Sequence, residues 1–291
     1  TVQSDEYSIS LVRGAVYPQG WNMIGNPYTS AVQWGAVEFV TNGQRQDLVE
    51  AVEAGVTPGI IYEFKNDGQN GYYDFPSDPL AAVMHPFRGY WVHVAKDTKL
   101  IVYSPGVSAA AAPKLANKPW LSSEVWRLRL VTSAGGWQDP TLFIGAGPGC
   151  TSGYDAGRDV PKPPPLASSL QSYLPKSGWG QYDGAYAQDL RGTNGSQSWN
   201  LEVKCDAPNT LVSLTWPDLN QVVPKGVRLA LDDIDGGKSV YMRTSASFSY
   251  NSGDGGVRHL RVRMLDDAGE ILQISNVQTQ ALRGRSAVVA F

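Results

Sequence analysis

Short hydrophobic runs recur roughly every ten residues through the second half of the chain, a spacing typical of antiparallel β-proteins. Turn-forming sequences such as Asp235-Gly-Gly237 and Asp254-Gly-Gly256 separate them. Many runs alternate apolar and polar residues, as strands with one buried face do. We therefore predict hairpins packed into a β-sandwich of jelly-roll or immunoglobulin-like type. The predicted strands are 125–131, 142–144, 199–205, 210–216, 227–231, 239–243, 247–250 and 257–264.

The first half of the chain has shorter β-runs and one convincing helix. Strands are predicted at 7–12, 59–64, 89–94 and 100–103. Asp47 is a candidate helix N-cap with Glu50 three residues later, and Gly55 is a natural helix end. A helix this short must pack on a sheet to be stable. The sequence thus predicts a small β-module with one short helix.

Length and composition indicate two all-β, antiparallel domains. The chain has 291 residues, enough for two domains of ordinary size. The segment 106–119 lacks aromatic residues and contains two prolines, which break both helix and strand ladder. We assign residues 1–105 to an N-terminal β-module, 106–119 to a linker, 120–275 to the β-sandwich and 276–291 to a C-terminal strand extension.

Charge and cysteine usage exclude some classes of partner. The 24 basic and 27 acidic residues leave a net charge of −3, which disfavours nucleic-acid or anionic-membrane binding. No run reaches the roughly eighteen apolar residues that a membrane-spanning helix requires. Cys150 and Cys205 are predicted to pair as a disulfide in an extracellular protein, with two buried free thiols as the alternative.

Several short motifs resemble those of modular secreted bacterial surface proteins. Gly20-Trp-Asn-Met-Ile-Gly-Asn-Pro27 and Pro86-Phe-Arg-Gly-Tyr-Trp-Val92 resemble one β-module, and Trp126-Arg-Leu-Arg-Leu130 and Arg258-His-Leu-Arg-Val262 resemble the module that often follows it. The resemblance covers most of the chain. It implies an extracellular location and two β-domains that usually precede an immunoglobulin-like domain of flagellar-hook-cap type. Residues 276–291 resemble only the opening strands of that third domain.

The sequence offers little catalytic or metal-binding chemistry. His85, His93 and His259 are far apart in the sequence and lack the convergent N or S ligands of a zinc site, so we predict no metal. We also predict no cofactor and no enzymatic activity. Asp232-Asp-Ile-Asp-Gly236 has part of a calcium-loop spacing, but a hairpin turn is the favoured interpretation.

Acidic residues near aromatic residues leave one enzymatic alternative open. Asp183, Asp189 and Glu202 could supply the carboxylate pair of a glycosidase, whose spacing in the sequence is free. The simpler interpretation is that these acids are solvated residues of strands and loops.

Aromatic residues concentrate in one Gly-rich stretch. Trp179, Tyr182, Tyr186 and Trp199 could form a glycan-binding patch, because flat rings stack on the apolar faces of sugars. The alternative is that these rings cap the core of the sandwich. Asn194-Gly-Ser196 in the same stretch is a candidate glycosylation site and predicts an exposed loop.

Apolar strands at both ends of the sequence suggest assembly. An unpaired strand can complete the open sheet of a neighbouring copy, and a head-to-tail contact of this kind propagates as a filament. We therefore expect a structural subunit of a bacterial surface fibre or layer, whose partners are other copies of itself. A carbohydrate-binding module of a larger secreted protein is the alternative. The residues assigned to strand exchange are Tyr7, Ile9, Leu11, Val277, Ala281, Val288, Val289 and Phe291. The alternative is that both terminal strands complete their own domain.

Overall fold

The structure is a computed structural model that describes residues 5–15, 19–66, 71–76, 78–105, 124–165, 170–265, 278–281 and 287–290. Only the backbone is described at 66, 71, 72, 278–281 and 287–290. Strands dominate the regular structure of these residues and both α-helices are short, so the chain is all-β, as predicted. The predicted linker, 106–119, lies outside the described residues.

The described residues up to 105 contain three small sheets and one α-helix. Two sheets have four strands each, in the orders β1-β10-β4-β5 and β2-β9-β6-β7, and β3 pairs with β8. The elements are β1 (Glu6–Leu11), β2 (Trp21–Gly25), β3 (Val32–Gln33), β4 (Glu38–Thr41), β5 (Gln44–Asp47), α1 (Leu48–Glu53), β6 (Ile61–Asn66), β7 (Gly71–Asp74), β8 (Val83–Met84), β9 (Gly89–His93) and β10 (Thr98–Tyr103).

Helix α1 begins where its capping residues predict. The Asp47 carboxylate accepts a 2.8 Å hydrogen bond from the backbone N–H of Glu50. The Glu50 carboxylate in turn accepts a 3.1 Å bond from the N–H of Asp47, which completes a capping box. Gly55 follows the helix with φ of +62°, a conformation that favours glycine. The buried face of α1 packs into the core of this half, which includes Trp34, Phe39, Leu48, Ala51, Tyr90 and Leu100.

The second half is dominated by one large sheet of 11 strands. Its path runs β19-β18-β21-β16-β14-β15-β12-β11-β17-β20, and β13 pairs with β15. The elements are β11 (Trp126–Ala134), β12 (Trp137–Ala146), β13 (Val160–Pro161), β14 (Leu170–Lys176), β15 (Gly184–Arg191), β16 (Ser198–Cys205), β17 (Leu211–Thr215), α2 (Leu219–Val222), β18 (Leu229–Asp233), β19 (Lys238–Tyr241), β20 (Ser247–Asn251) and β21 (Gly256–Met264).

This sheet curls around one hydrophobic core, so its two ends face each other as the layers of a sandwich do. The core contains Leu128 of β11 and Leu214 of β17 from one end of the path, together with Val203 of β16 and Leu231 of β18 from the other. Trp199 of β16 is fully buried in it and lies edge-on to Trp126, with 6.0 Å between the ring centroids. The sandwich character predicted for this half is therefore present.

Three details of the predicted topology are wrong. Asp254-Gly-Gly256 does not close a hairpin, because β20 pairs with β17 while β21 pairs with β16 and β18. Strands β14 and β15 were not predicted, although both lie near the middle of the sheet. The β12–β15 pair is parallel, whereas only antiparallel pairing was expected. The Asp235-Gly-Gly237 hairpin, in contrast, is present between β18 and β19.

A third hydrophobic cluster joins the two halves. From the first half it takes Ile60, Tyr62 and Phe75, and from the second Val160 and Ala187, all of which are buried. Trp21, Tyr73, Trp91 and Phe143 pack around this cluster. The Arg127 guanidinium carbon lies 3.7 Å from the centroid of the Phe143 ring and 5.3 Å from that of Phe75. These contacts bury apolar surface between the halves and hold them together.

The first predicted assembly strand is completed within its own chain. Strand β1 pairs with β10 along its whole length, from Glu6 opposite Tyr103 to Leu11 opposite Thr98. Leu11 is buried, Ile9 packs against the core, and Tyr7 is 51% exposed. The prediction that this strand lacks a partner inside the chain is therefore wrong. Its outer edge pairs with no other strand in the described part of the chain.

The predicted C-terminal strand extension contains two strands that form a separate hairpin. Strands β22 (Gln278–Ala281) and β23 (Ala287–Ala290) pair with each other, and no further described strand joins them. Of the predicted assembly residues here, Ala281, Val288 and Val289 lie in this hairpin, whereas Val277 and Phe291 lie outside the described residues. Among the helices that are described, none has the length and apolarity needed to cross a membrane.

Candidate ligand-binding cleft

A cleft of about 190 Å³ opens where the two halves of the chain meet. The first half contributes Arg13, Gln19, Trp21 and His93 to its wall. The second half contributes the segments 161–163 and 181–186, with Tyr154 and Gln171. Clefts between domains are common places for ligand binding, because side chains from two scaffolds converge there.

The first-half wall depends on a close approach at Gly20. This residue has φ of +79°, and a Cβ atom at its position would lie 2.7 Å from His93 Nε2. Glycine thus allows β2 to start directly beside β9, where Trp21 pairs with His93. The two rings meet edge to face with 5.1 Å between their centroids. Trp21 and His93 are in this way held on one face of the β2–β9 pair, toward the second half.

The second-half wall is a group of packed tyrosine rings. Tyr154 and Tyr182 stack with 3.9 Å between their centroids and 13° between their planes. The Tyr186 hydroxyl donates a 2.6 Å hydrogen bond to the Tyr182 carbonyl oxygen, which fixes the turn that carries Tyr182. Trp179 packs edge-on behind them, 4.9 Å from Tyr186. The rings are therefore preorganised.

Polar side chains complete the cleft. Arg13 Nη2 donates a 2.9 Å hydrogen bond to the Gln181 carbonyl oxygen and so bridges the two halves at the rim. Gln19, Gln171, Gln181 and Asp183 also line the cleft. Amide groups of this kind can donate to and accept from neighbouring hydroxyl groups, and a carboxylate accepts from them. Flat rings together with such side chains suit a ligand that has both apolar faces and hydroxyl groups.

His93 contributes a neutral imidazole to the cleft. Burial, together with the positive charge of Arg13, lowers the pKa of His93 to about 4. Its Nδ1 atom is buried and has no hydrogen-bond partner in the described part of the chain. A buried polar atom without a partner carries a free-energy cost that a hydrogen-bonding ligand or water can offset. His93 thus lines the cleft as a neutral ring and keeps one buried nitrogen unsatisfied.

The predicted glycan patch is partly dispersed in the structure. Tyr182 and Tyr186 line the cleft, although Tyr186 is only 3% exposed. Trp179 lies behind them, and its indole N–H donates a 3.2 Å hydrogen bond to the Ser152 carbonyl oxygen. Trp199 is buried in the sandwich core, where its N–H donates to the Asp189 carbonyl oxygen, so its assignment to glycan contact is wrong. The alternative, a ring that belongs to the core, holds for Trp199.

The three acids considered as a catalytic pair lie in different surroundings. Asp183 lines the cleft and accepts a 2.5 Å hydrogen bond from the backbone N–H of Trp179. Asp189 is fully buried between Lys176 and Arg191, with which it forms ion pairs. Glu202 accepts a hydrogen bond from the Tyr173 hydroxyl on the neighbouring strand. Only Asp183 of the three faces the cleft.

The Asp232–Gly236 segment leads into a hairpin turn, and its carboxylates pair with arginine and histidine side chains of β21. Asp232 contacts Arg261 and Arg263, and Asp233 contacts Arg258 at 2.6 Å. Asp235 meets His259 at 3.2 Å. The calcium alternative is disfavoured because these acids are already engaged. Within the residues that the structure describes, no group of three or more His, Cys, Asp or Glu side chains is arranged to hold a metal ion.

The two cysteines are buried free thiols, so the predicted disulfide is wrong. Cys150 lies in the loop after β12, and its Sγ atom accepts a 2.8 Å hydrogen bond from Arg158 Nη1. Cys205 ends β16, and its Sγ lies 3.7 Å from the Ala207 carbonyl oxygen. Each thiol therefore has a local polar neighbour. Asn194 lies exposed in the turn before β16, as expected, and its glycosylation stays a prediction.

Sequence reasoning missed most of the cleft, including all of its first-half residues. Trp21 was noted only within the Gly20–Pro27 motif, His93 only as a strand residue and as a histidine without metal-ligand spacing, and Tyr154 was not singled out. Nothing in their local spacing indicates that they meet Tyr182, because this contact depends on how the two halves pack.

Comparison with known proteins gave no match: no family model, no curated protein and no solved structure is significantly similar to this chain. The assignment of a function therefore depends on the geometry of the chain itself.

Proposed function

We propose that this chain is a non-catalytic, extracellular carbohydrate-binding module, and that the cleft between its two halves holds one or a few sugar units. The observation that carries this proposal is the convergence of Trp21 and His93 from the first half with Tyr154 and Tyr182 from the second around one cleft. The ligand class follows from the chemistry of the wall. Rings contribute stacking surfaces, and glutamines and Asp183 contribute partners for hydroxyl groups.

Preorganised rings lower the entropy cost of binding a ligand. Tyr154 and Tyr182 are already stacked on each other, so a ligand need not order them, and little conformational entropy is lost on binding. The nearly neutral net charge of −3 favours an uncharged ligand over a polyanion. A neutral saccharide offers apolar faces to such rings and carries no charge.

A glycan array followed by calorimetry tests the proposal. We expect wild-type protein to bind at least one neutral glycan, and Tyr182→Ala to weaken that binding at least about fivefold through loss of ring contacts. Tyr7→Ala is the matched control, because Tyr7 is an exposed tyrosine of β1 that does not line the cleft. Failure to bind any glycan, or equal weakening by both substitutions, would contradict the proposal.

A second candidate function is self-assembly into a surface fibre by strand addition, and the C-terminal hairpin favours it. The β22–β23 sheet has two strands and gains no third among the described residues. An isolated two-stranded hairpin is marginally stable in water, so it gains from pairing with another sheet. The open outer edge of β1 is one sheet edge to which a strand of another copy could add.

Negative-stain electron microscopy across a concentration series tests this second candidate. Fibres are expected for the wild type, and Val289→Pro should abolish them because proline cannot donate to a strand ladder. Val288→Thr is a suitable control, because it keeps the backbone donor. Monodisperse particles at every concentration would exclude this function for the chain.

A further inference from the structure

Asp139 of β12 and Lys162, which directly follows β13, form an ion pair inside the second half. Lys162 Nζ lies 2.7 Å from Asp139 Oδ1 and 2.8 Å from Oδ2. Both residues are buried, with 7% exposure for Asp139 and 5% for Lys162. Burying two charges costs free energy that their attraction only partly offsets, so a reaction that removes both charges is favoured by this environment.

Two neighbouring groups hold Asp139 in a defined orientation. The Ser172 backbone N–H donates a 2.8 Å hydrogen bond to Asp139 Oδ2, and the Ser172 hydroxyl lies 3.2 Å from the same oxygen. Preorganised donors of this kind stabilise the negative charge that develops on a carbonyl oxygen under nucleophilic attack. Ser172 is fully buried, so water does not compete for this position.

The Thr141 hydroxyl connects the amine to the other carboxylate oxygen. Its Oγ1 atom accepts a 2.7 Å hydrogen bond from Lys162 Nζ and donates a 2.8 Å bond to Asp139 Oδ1. A hydroxyl between a donor and an acceptor can pass a proton from one to the other. The amine, the carboxyl carbon, a proton relay and an oxyanion site are therefore assembled in one buried place.

We propose that Lys162 and Asp139 condense into an intramolecular amide cross-link. Protons pass from the ammonium group through Thr141 to Asp139 Oδ1, and the neutral amine attacks the carboxyl carbon while Ser172 holds Oδ2. A bond forms between Nζ and Cγ, the bond between Cγ and Oδ1 breaks, and Oδ1 leaves as water. An ammonium and a carboxylate thus become one amide and one water molecule, with no oxidant, reductant or co-reactant.

Burial supports the direction of this reaction. It lowers the pKa of Lys162, which favours the neutral amine. Burial opposes ionisation of Asp139 as well, although the Lys162 charge and the surrounding hydrogen bonds leave the pKa of Asp139 lowered. Proton transfer along the relay therefore has to accompany the attack on the carbonyl carbon.

The cross-link would close the segment 139–162 into a covalent loop. This loop contains Tyr154, and Pro161 at its end accepts a hydrogen bond from Tyr62 of the first half. The cross-link would therefore fix the floor of the cleft and the segment that joins the halves. Formation of the cross-link does not depend on whether the cleft binds a saccharide.

Intact mass spectrometry of the reduced, denatured protein tests the proposal. We expect the wild-type chain to be lighter than the sum of its residues by the mass of one water molecule, and Lys162→Arg to have the full mass. Trypsin cuts after Arg129, Arg158 and Lys176 but not between Lys162 and Pro163. The peptides 130–158 and 159–176 should therefore appear joined, with the summed mass less one water.

The second buried lysine–aspartate pair provides a matched control. Lys176 and Asp189 are also buried and paired, so Lys176→Arg should leave the water loss unchanged. Thr141→Val, which removes the relay hydroxyl, should leave most of the protein molecules at full mass. Thr141→Ser should restore the loss of one water molecule. A full-mass wild type, a loss with the two peptides still separate, or a loss abolished by Lys176→Arg would each overturn the proposal.

Discussion

The Tyr62 hydroxyl donates a 2.7 Å hydrogen bond to the Pro161 carbonyl oxygen, and this bond joins the two halves of the chain in a buried position. Tyr62 belongs to β6, and Pro161 ends β13. Pro161 lines the cleft, while the Tyr62 ring lies in the cluster between the halves. One contact thus links the stability of the interface to the shape of the candidate binding site.

Tyr62→Phe should destabilise the chain without removing its ring. The substitution leaves the buried Pro161 carbonyl oxygen without this donor, which costs about 1–3 kcal/mol of unfolding free energy. Urea denaturation measures the change. Tyr7→Phe, at an exposed tyrosine, should stay within about 0.5 kcal/mol of the wild type. Equal stability of Tyr62→Phe and wild type would show that the bond is replaced or absent in solution.

Phe75→Ala should loosen the contact between the halves. The Phe75 ring lies 4.9 Å from Tyr62 and 5.4 Å from Phe143 across the interface, so its removal leaves a cavity. We expect the free energy of unfolding to fall by about 3–5 kcal/mol. Calorimetry should also show a less cooperative thermal transition. Phe64→Ala is the control, because Phe64 is 44% exposed on the neighbouring strand β6. A similar loss for both variants would argue against a shared core.

His93 should make stability fall as the solution becomes acidic. Its pKa is about 4 in the folded chain, below the ordinary value of 6.5, so the unfolded chain binds the proton more readily. The stabilisation is complete above pH 6.5 and is lost as the pH falls toward 4. His93→Gln should flatten this part of the pH profile, measured as the urea midpoint at each pH. An unchanged slope would mean that His93 is solvated.

Asp159 should act in the opposite direction. Burial, and next the charge of Asp189, raise the pKa of Asp159 to about 8 from a usual 3.8. The folded chain therefore keeps the proton that the unfolded chain releases, and stability falls as the pH rises from about 4 to 8.

Asp159→Asn tests this, since it removes the titrating group and keeps an acceptor for the Leu190 backbone N–H. The variant should be more stable than the wild type at pH 8, with the difference shrinking toward pH 4. Asp183→Asn, at an exposed acid of the same region, is the control. Loss of stability at both pH values would indicate that Asp159 is ionised and needed as such.

Local signals in the sequence predicted much of the fold. The Asp47–Glu50 capping box needs only residues three apart, and the turn between β18 and β19 needs only its Asp-Gly-Gly sequence. Strand β15 was missed because its buried residues, 186–190, are consecutive and include the polar Gln188 and Asp189, so its sequence lacks a clear alternation. Trp199 is a different case, because Trp199, Leu201, Val203 and Cys205 alternate with polar residues along β16, and this pattern already indicates that the ring lies on the buried face.

Long-range contacts account for the remaining errors. Strand β1 looked unpaired because its partner, β10, lies about ninety residues later, and no local pattern specifies such a pair. The cleft has the same origin, since Trp21 and Tyr182 meet only after the halves pack against each other. Candidate sites between domains are for this reason harder to predict than turns and caps.

An NMR titration with the glycan that binds best on the array tests the central claim most directly. If the cleft is the binding site, backbone amide signals should shift in both halves at once, at Trp21 and His93 and at Tyr182 and Ala185. The signals of Tyr7 and Phe87, both exposed and away from the cleft, should stay in place. Shifts confined to one half, or located outside the cleft, would contradict the account.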